Sequence, residues 1–158
     1  MEFLSTIEHS AFFTWVREDS SIWAYPGIRF MHTVGLAIVV GLSTMINLRV
    51  LGFARTLPMA PLERYFPIIW AGFWINAMSG TILLAADLSA RLTNPAFGVM
   101  MVLIALAVVN LVLMRSAVFR DPSLSASVSR RGKRLAAVSL LLWFGALTAG
   151  RLMALLGD

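Results

Sequence analysis

Between Arg29 and Arg49 no residue carries a fixed charge, and His32 is the only ionisable side chain in the run. At about 1.5 Å of rise per residue, a helix of that length approaches the ~30 Å hydrocarbon core of a bilayer. Backbone N–H and C=O groups find no water in hydrocarbon, so such a run must be a helix that closes its own hydrogen bonds. Comparable apolar runs recur along the chain, giving expected spans at about 28–48, 66–86, 96–114 and 135–156. The expected fold is all-α: an integral membrane four-helix up-and-down bundle with an N-terminal amphipathic interfacial helix.

No polar stretch is long enough for a separate soluble domain, and only 13% of residues are charged, about half the share usual in soluble domains. The chain therefore divides into an interfacial region, 1–24, and a four-span domain, 25–158. In region 1–24, Glu8, His9, Arg17, Glu18 and Asp19 rule out a span. Ser5-Thr6-Ile7-Glu8 has capping-box spacing. Leu4, Ile7, Ala11 and Trp15 share one helical face, which suits a helix lying on the outer membrane surface with Trp15 and Trp23 at headgroup level. His9 falls opposite that face and reads as a solvated side chain. Tyr25-Pro26-Gly27 is expected to break this helix before the first span. With Glu2 and no basic n-region, the N-terminus does not read as a cleavable signal peptide.

On a helical wheel, His32, Gly35, Val39, Ser43 and Asn47 share one side of span one; Gly72, Asn76, Ser79, Gly80, Leu83 and Asp87 share one side of span two. Small and polar residues gather where membrane helices face each other rather than lipid. Gly35, Ser43, Asn47, Gly72, Asn76, Ser79, Gly80 and, in span three, Asn110 are thus expected to pack helices together. Segment 49–64 carries three basic residues and 115–134 six, against four at Arg17, Arg29, Arg91 and Arg151. The positive-inside rule then predicts both basic loops in the cytoplasm and both termini on the outer side. The run Arg130-Arg131-Gly132-Lys133-Arg134 reads as a topology signal that could also meet anionic headgroups. No aromatic platform interleaves these charges, so nucleic acid is not an expected partner.

This topology brings Arg29, His32, Asp87 and Arg151 to one membrane level. In one reading they are structural: Asp87 and Arg151 pair or snorkel, and His32 bonds to a neighbouring helix. In the other they line an outward-facing pocket for a charged or quinone-like ligand, with His32 as its coordinating group. Haem b held by His32, with Arg29 and Arg151 on its propionates, is one candidate cofactor. A quinone is another, and a copper site of His32 with Met31 or Met153 is a weaker one. Absence of cysteine excludes disulfides, thiolate ligands, iron–sulfur clusters and CxxCH haem attachment. No HExxH or phosphate loop is present, and Ser79 lies too deep to form a hydrolase pair with His32.

The order Tyr25-Pro26, His32, Gly35, Asn47-Leu48-Arg49, Gly52, Leu57-Pro58, Gly72-Phe73, Gly80, Asn94-Pro95, Phe97, Asn110, Ser139, Trp143 and Gly150-Arg151 resembles an uncharacterised family of small bacterial four-span membrane proteins. That family is distantly similar to copper-resistance D-type proteins and membrane b-type cytochromes, which implies a redox or metal-linked role. This chain differs from the family pattern in having Arg29 three residues before the histidine and Met100-Met101 early in span three. The expectation is a redox-linked subunit, binding haem b or quinone and serving a larger membrane or periplasmic electron-transfer partner. The alternatives are a non-catalytic membrane anchor or assembly subunit, or a small transporter working as a homo-oligomer.

Overall fold

The computed structural model describes residues 11–19, 21–53, 56–119 and 128–156. Helix α1 is Ala11–Glu18, α2 Tyr25–Leu51, α3 Phe66–Ala85, α4 Leu88–Thr93, α5 Pro95–Phe119 and α6 Arg130–Leu156. The proposed capping box and His9 lie outside the described residues. Four helices (α2, the Ala60–Ala85 stretch containing α3, α5 and α6) are long and apolar enough to cross a membrane. The all-α four-helix bundle is thus as expected, and the chain is a multi-pass membrane protein.

Local chemistry sets the helix ends. The turn between α1 and α2 is built by Asp19, whose Oδ1 accepts from the Ser21 N–H at 2.6 Å, and by Ser21, whose Oγ accepts from the Trp23 N–H at 3.3 Å. Tyr25-Pro26-Gly27 does not end a helix; it opens α2, with Pro26 in the first turn. A proline is tolerated there because its missing N–H would have had no intrahelical acceptor. At the far end Gly52 takes a left-handed conformation (φ 99°) and donates to the Leu48 and Arg49 carbonyls, while Phe53 N–H also reaches Leu48. Carbonyls that α2 would leave bare are thereby satisfied. A 3₁₀ turn, Ala60–Tyr65, leads into α3. Asn94 Oδ1 receives the Ala96 N–H at 2.9 Å at the start of α5, and Ser129 Oγ receives the Gly132 N–H at 3.1 Å at the start of α6.

Helices α2, α5 and α6 extend beyond their apolar runs, because a helix continues to satisfy its own backbone after leaving hydrocarbon. In the bundle α2 packs against α3 and α6, and α6 packs against α2 and α5. The neighbour order is therefore α3, α2, α6, α5. All four spans meet in an apolar core toward the end where α2 finishes and α6 begins: Val39, Ile46 and Val50; Phe66 and Ile69; Ala107, Leu111 and Met114; Ala136 and Trp143, with Leu62 from the 3₁₀ turn. Phe66 and Phe119 close it edge to face, ring centroids 5.5 Å apart. The outside is equally greasy, with Met78, Leu141 and Leu155 each about 70% exposed. In water such a surface would be strongly unfavourable; in hydrocarbon it is the expected solvent face.

Candidate functional site: the His32 seam

His32 sits near the start of α2 with its ring laid against α3. Its Nδ1 is 3.0 Å from the Asn76 carbonyl oxygen and 3.3 Å from Ser79 Oγ. Asn76 returns the contact, its Nδ2 donating to the His32 carbonyl at 2.9 Å. The proton can be assigned from these partners. A backbone carbonyl only accepts, and the single hydroxyl proton of Ser79 goes to the Ile75 carbonyl at 2.6 Å. The Asn76 amide nitrogen, a donor, also lies 3.3 Å from Nδ1 and 3.5 Å from Nε2. The shorter contact to the carbonyl assigns the proton to Nδ1, and Nε2 keeps its lone pair on the side of that amide.

Glycines make this geometry possible. A β-carbon on Gly80 would lie 2.9 Å from His32 Cε1. One on Gly35 would lie 2.7 Å from the Asn76 nitrogen and 2.8 Å from the Gly72 oxygen, and one on Gly72 would lie 2.7 Å from Ile38 Cγ2. Helices α2 and α3 thus meet backbone to backbone, the close approach that small residues four apart permit in membranes.

A second polar seam joins α2 to α6. Asn47 Nδ2 donates to Ser139 Oγ at 2.9 Å, and both residues are fully buried. Nearby along the two helices are Ser43 and Trp143, also buried. Ser43 Oγ, Asn47 Oδ1 and Trp143 Nε1 have no hydrogen-bond partner among the described residues. Asn110 Nδ2 ties α5 to α6 through the Leu135 carbonyl at 3.0 Å. At the His32 end of the bundle, Asn94 Nδ2 reaches the Met153 carbonyl at 3.4 Å.

The four groups expected at one level are thus distributed as follows. His32 is held by Asn76, Ser79 and Gly80. Asp87 pairs with Arg91 on its own side of the bundle, Oδ2 to Nε 3.4 Å, in an i,i+4 contact with its carboxylate half exposed. Arg29 and Arg151 are exposed. The expected meeting of Asp87 with Arg151 required spans two and four to be neighbours, whereas the principal neighbours of α6 are α2 and α5. No group of three or more His, Asp or Glu side chains suited to a metal ion occurs among the described residues.

At the other end of the bundle a cleft of about 170 Å³ lies between α3 and α5, lined by Phe66, Trp70, Leu111, Val112, Arg115 and Ser116, which the sequence pattern does not announce. Arg115 Nη2 lies 3.5 Å from Glu63 Oε1, and its guanidinium stands 5.3 Å from the Phe66 ring centroid. In the sequence Arg115 is one of nine basic residues that set the topology. Its position at the end of an apolar run, facing an aromatic-rich helix start, was the available signal.

Fold and seams together define a helical multi-pass membrane protein whose spans are joined by side-chain hydrogen bonds. No family model, curated protein or solved structure matches the chain.

Proposed function

We propose that this chain is a non-catalytic membrane anchor or assembly subunit of a larger membrane complex, in the bacterial inner membrane with both termini periplasmic. The observation that carries the reading is the use made of the intramembrane polar groups. His32, Asn76 and Ser79 bind α2 to α3, Asn47 and Ser139 bind α2 to α6, and Asn110 binds α5 to α6. A histidine in hydrocarbon needs partners, and here the neighbouring helix supplies them. Purification in mild detergent after in-cell cross-linking tests the reading: a larger membrane or periplasmic protein should co-purify in fixed stoichiometry, and should still do so with His32→Gln. A chain that runs alone at every detergent concentration would refute it.

One observation favours a second reading, a redox-linked subunit binding haem b or quinone. With Nδ1–H held by a carbonyl, Nε2 is the lone-pair nitrogen, as an axial ligand or an acceptor for a quinol hydroxyl needs to be. Arg29, about one turn earlier and exposed, and Met31 are on the same segment and would serve a propionate or a thioether-loving metal. When bound, haem would supply one-electron chemistry. The purified protein should then show a Soret band that disappears in His32→Ala; a colourless, metal-free and quinone-free preparation removes this reading and copper with it.

A further inference from the structure

We propose that the cleft between α3 and α5 binds the headgroup of an anionic phospholipid from the leaflet at that end of the bundle. The cleft has the two halves such a ligand requires. Phe66, Trp70, Leu111 and Val112 form an apolar wall; Arg115 and Ser116 form a polar rim. Val112 is half exposed at the edge, so acyl chains leave the cleft directly into hydrocarbon.

Arg115 is poised for an oxyanion and underused by the protein. Its guanidinium has five N–H donors in a planar fork that matches phosphate. The contact to Glu63, 3.5 Å with both side chains about 40% exposed, is at the outer limit of a hydrogen bond and contributes little to stability. Arg115 Nε is enclosed and has no hydrogen-bond partner among the described residues. Stacking over Phe66 at 5.3 Å holds the fork at the rim without consuming its donors.

The surrounding charge has the matching sign. Among the described residues this end of the bundle carries seven basic side chains, Arg49, Arg64, Arg115, Arg130, Arg131, Lys133 and Arg134, against the one acid Glu63. Such an excess draws anionic headgroups to the surface; the cleft then selects one by geometry. A free phosphate shares the charge but has no use for the apolar wall, which is why the occupant is a lipid.

Native mass spectrometry of the detergent-purified chain, titrated with phosphatidylglycerol, phosphatidylcholine and inorganic phosphate, tests this. Phosphatidylglycerol should form a one-to-one adduct at least fivefold tighter than phosphatidylcholine, about the weight of one arginine near an anionic surface. Excess inorganic phosphate should not displace it. Arg115→Gln should lose that preference, while Arg134→Gln, on the exposed first turns of α6, should keep it. Glu63→Gln provides the opposite sign: with the competing acid removed, phosphatidylglycerol should bind more tightly. Equal binding of the two lipids, displacement by phosphate, an unchanged preference in Arg115→Gln, or no tightening in Glu63→Gln would each overturn the proposal, and the last does so even if Arg115→Gln fails to fold.

Discussion

Gly80 of α3 and His32 of α2 are in direct apposition: a single β-carbon on the glycine would come within 2.9 Å of the imidazole Cε1 and 3.2 Å of Nδ1. The ring cannot retreat without giving up the Asn76 carbonyl and Ser79. Gly80→Ala should therefore destabilise the fold by about 1–3 kcal/mol, the usual penalty for overpacking a close contact. Gly41→Ala and Gly98→Ala are the matched controls, because a β-carbon there meets nothing within 4 Å. Thermal unfolding in detergent should show a lowered midpoint for Gly80→Ala alone; equal midpoints for all three would contradict the geometry.

Asn47 and Ser139 offer a sharper measurement, since both are fully buried and the hydrogen bond between them crosses from α2 to α6. Interhelical side-chain hydrogen bonds in membranes contribute about 0.6–2 kcal/mol. Asn47→Ala and Ser139→Ala should each lower stability by an amount of that order. Their effects should not add, because either change removes the same bond. A double-mutant cycle with no coupling energy would show that the bond contributes nothing.

The turn after α2 depends on the backbone freedom of one residue. Gly52 is the only described residue with positive φ, and an L side chain in that region costs about 1–2 kcal/mol. Gly52→Ala should lower the unfolding midpoint accordingly. Replacement by asparagine, which tolerates the left-handed region better, should recover part of the loss.

Asp87 and Arg91 give a prediction of near-silence. Their contact is half exposed at the Asp87 carboxylate and within one helical turn, a class of ion pair that contributes about 0.3–0.5 kcal/mol. Asp87→Asn should leave stability almost unchanged, and Arg151→Gln combined with it should add nothing. Strong coupling between positions 87 and 151 in unfolding measurements would instead mean that the two meet.

The spans and both polar stripes could be read from the sequence because hydrocarbon imposes a simple code. A helix must be apolar where it faces lipid, so Gly35, Ser43, Asn47, Gly72, Asn76 and Gly80 announce their inward side by composition alone. Which helix each stripe faces was not legible. The wheel of α2 places His32 and Asn47 on one side, yet the structure gives His32 to α3 and Asn47 to α6, one helix serving two neighbours along its length. The expected meeting of Asp87 with Arg151 follows from membrane level, which fixes height but not azimuth. Asp87 found a partner four residues away, at a spacing that was visible in the sequence. The 3₁₀ turn at Ala60–Tyr65 was hidden behind Pro58 and Pro61, which signal a break without saying that a tighter helix follows.

The neighbour order α3, α2, α6, α5 means that the molecule consists of two consecutive hairpins, α2 with α3 and α5 with α6, each closed by partners adjacent in the chain. The main join between distant parts of the polypeptide is the middle one, α2 on α6, with lighter contacts at one end where Phe66 meets Phe119 and Glu63 meets Arg115. Separate fragments, one ending at Thr93 and the other beginning at Pro95, are thus each supplied with an internal pairing, and their reunion rests mainly on the face of α2 that carries Asn47.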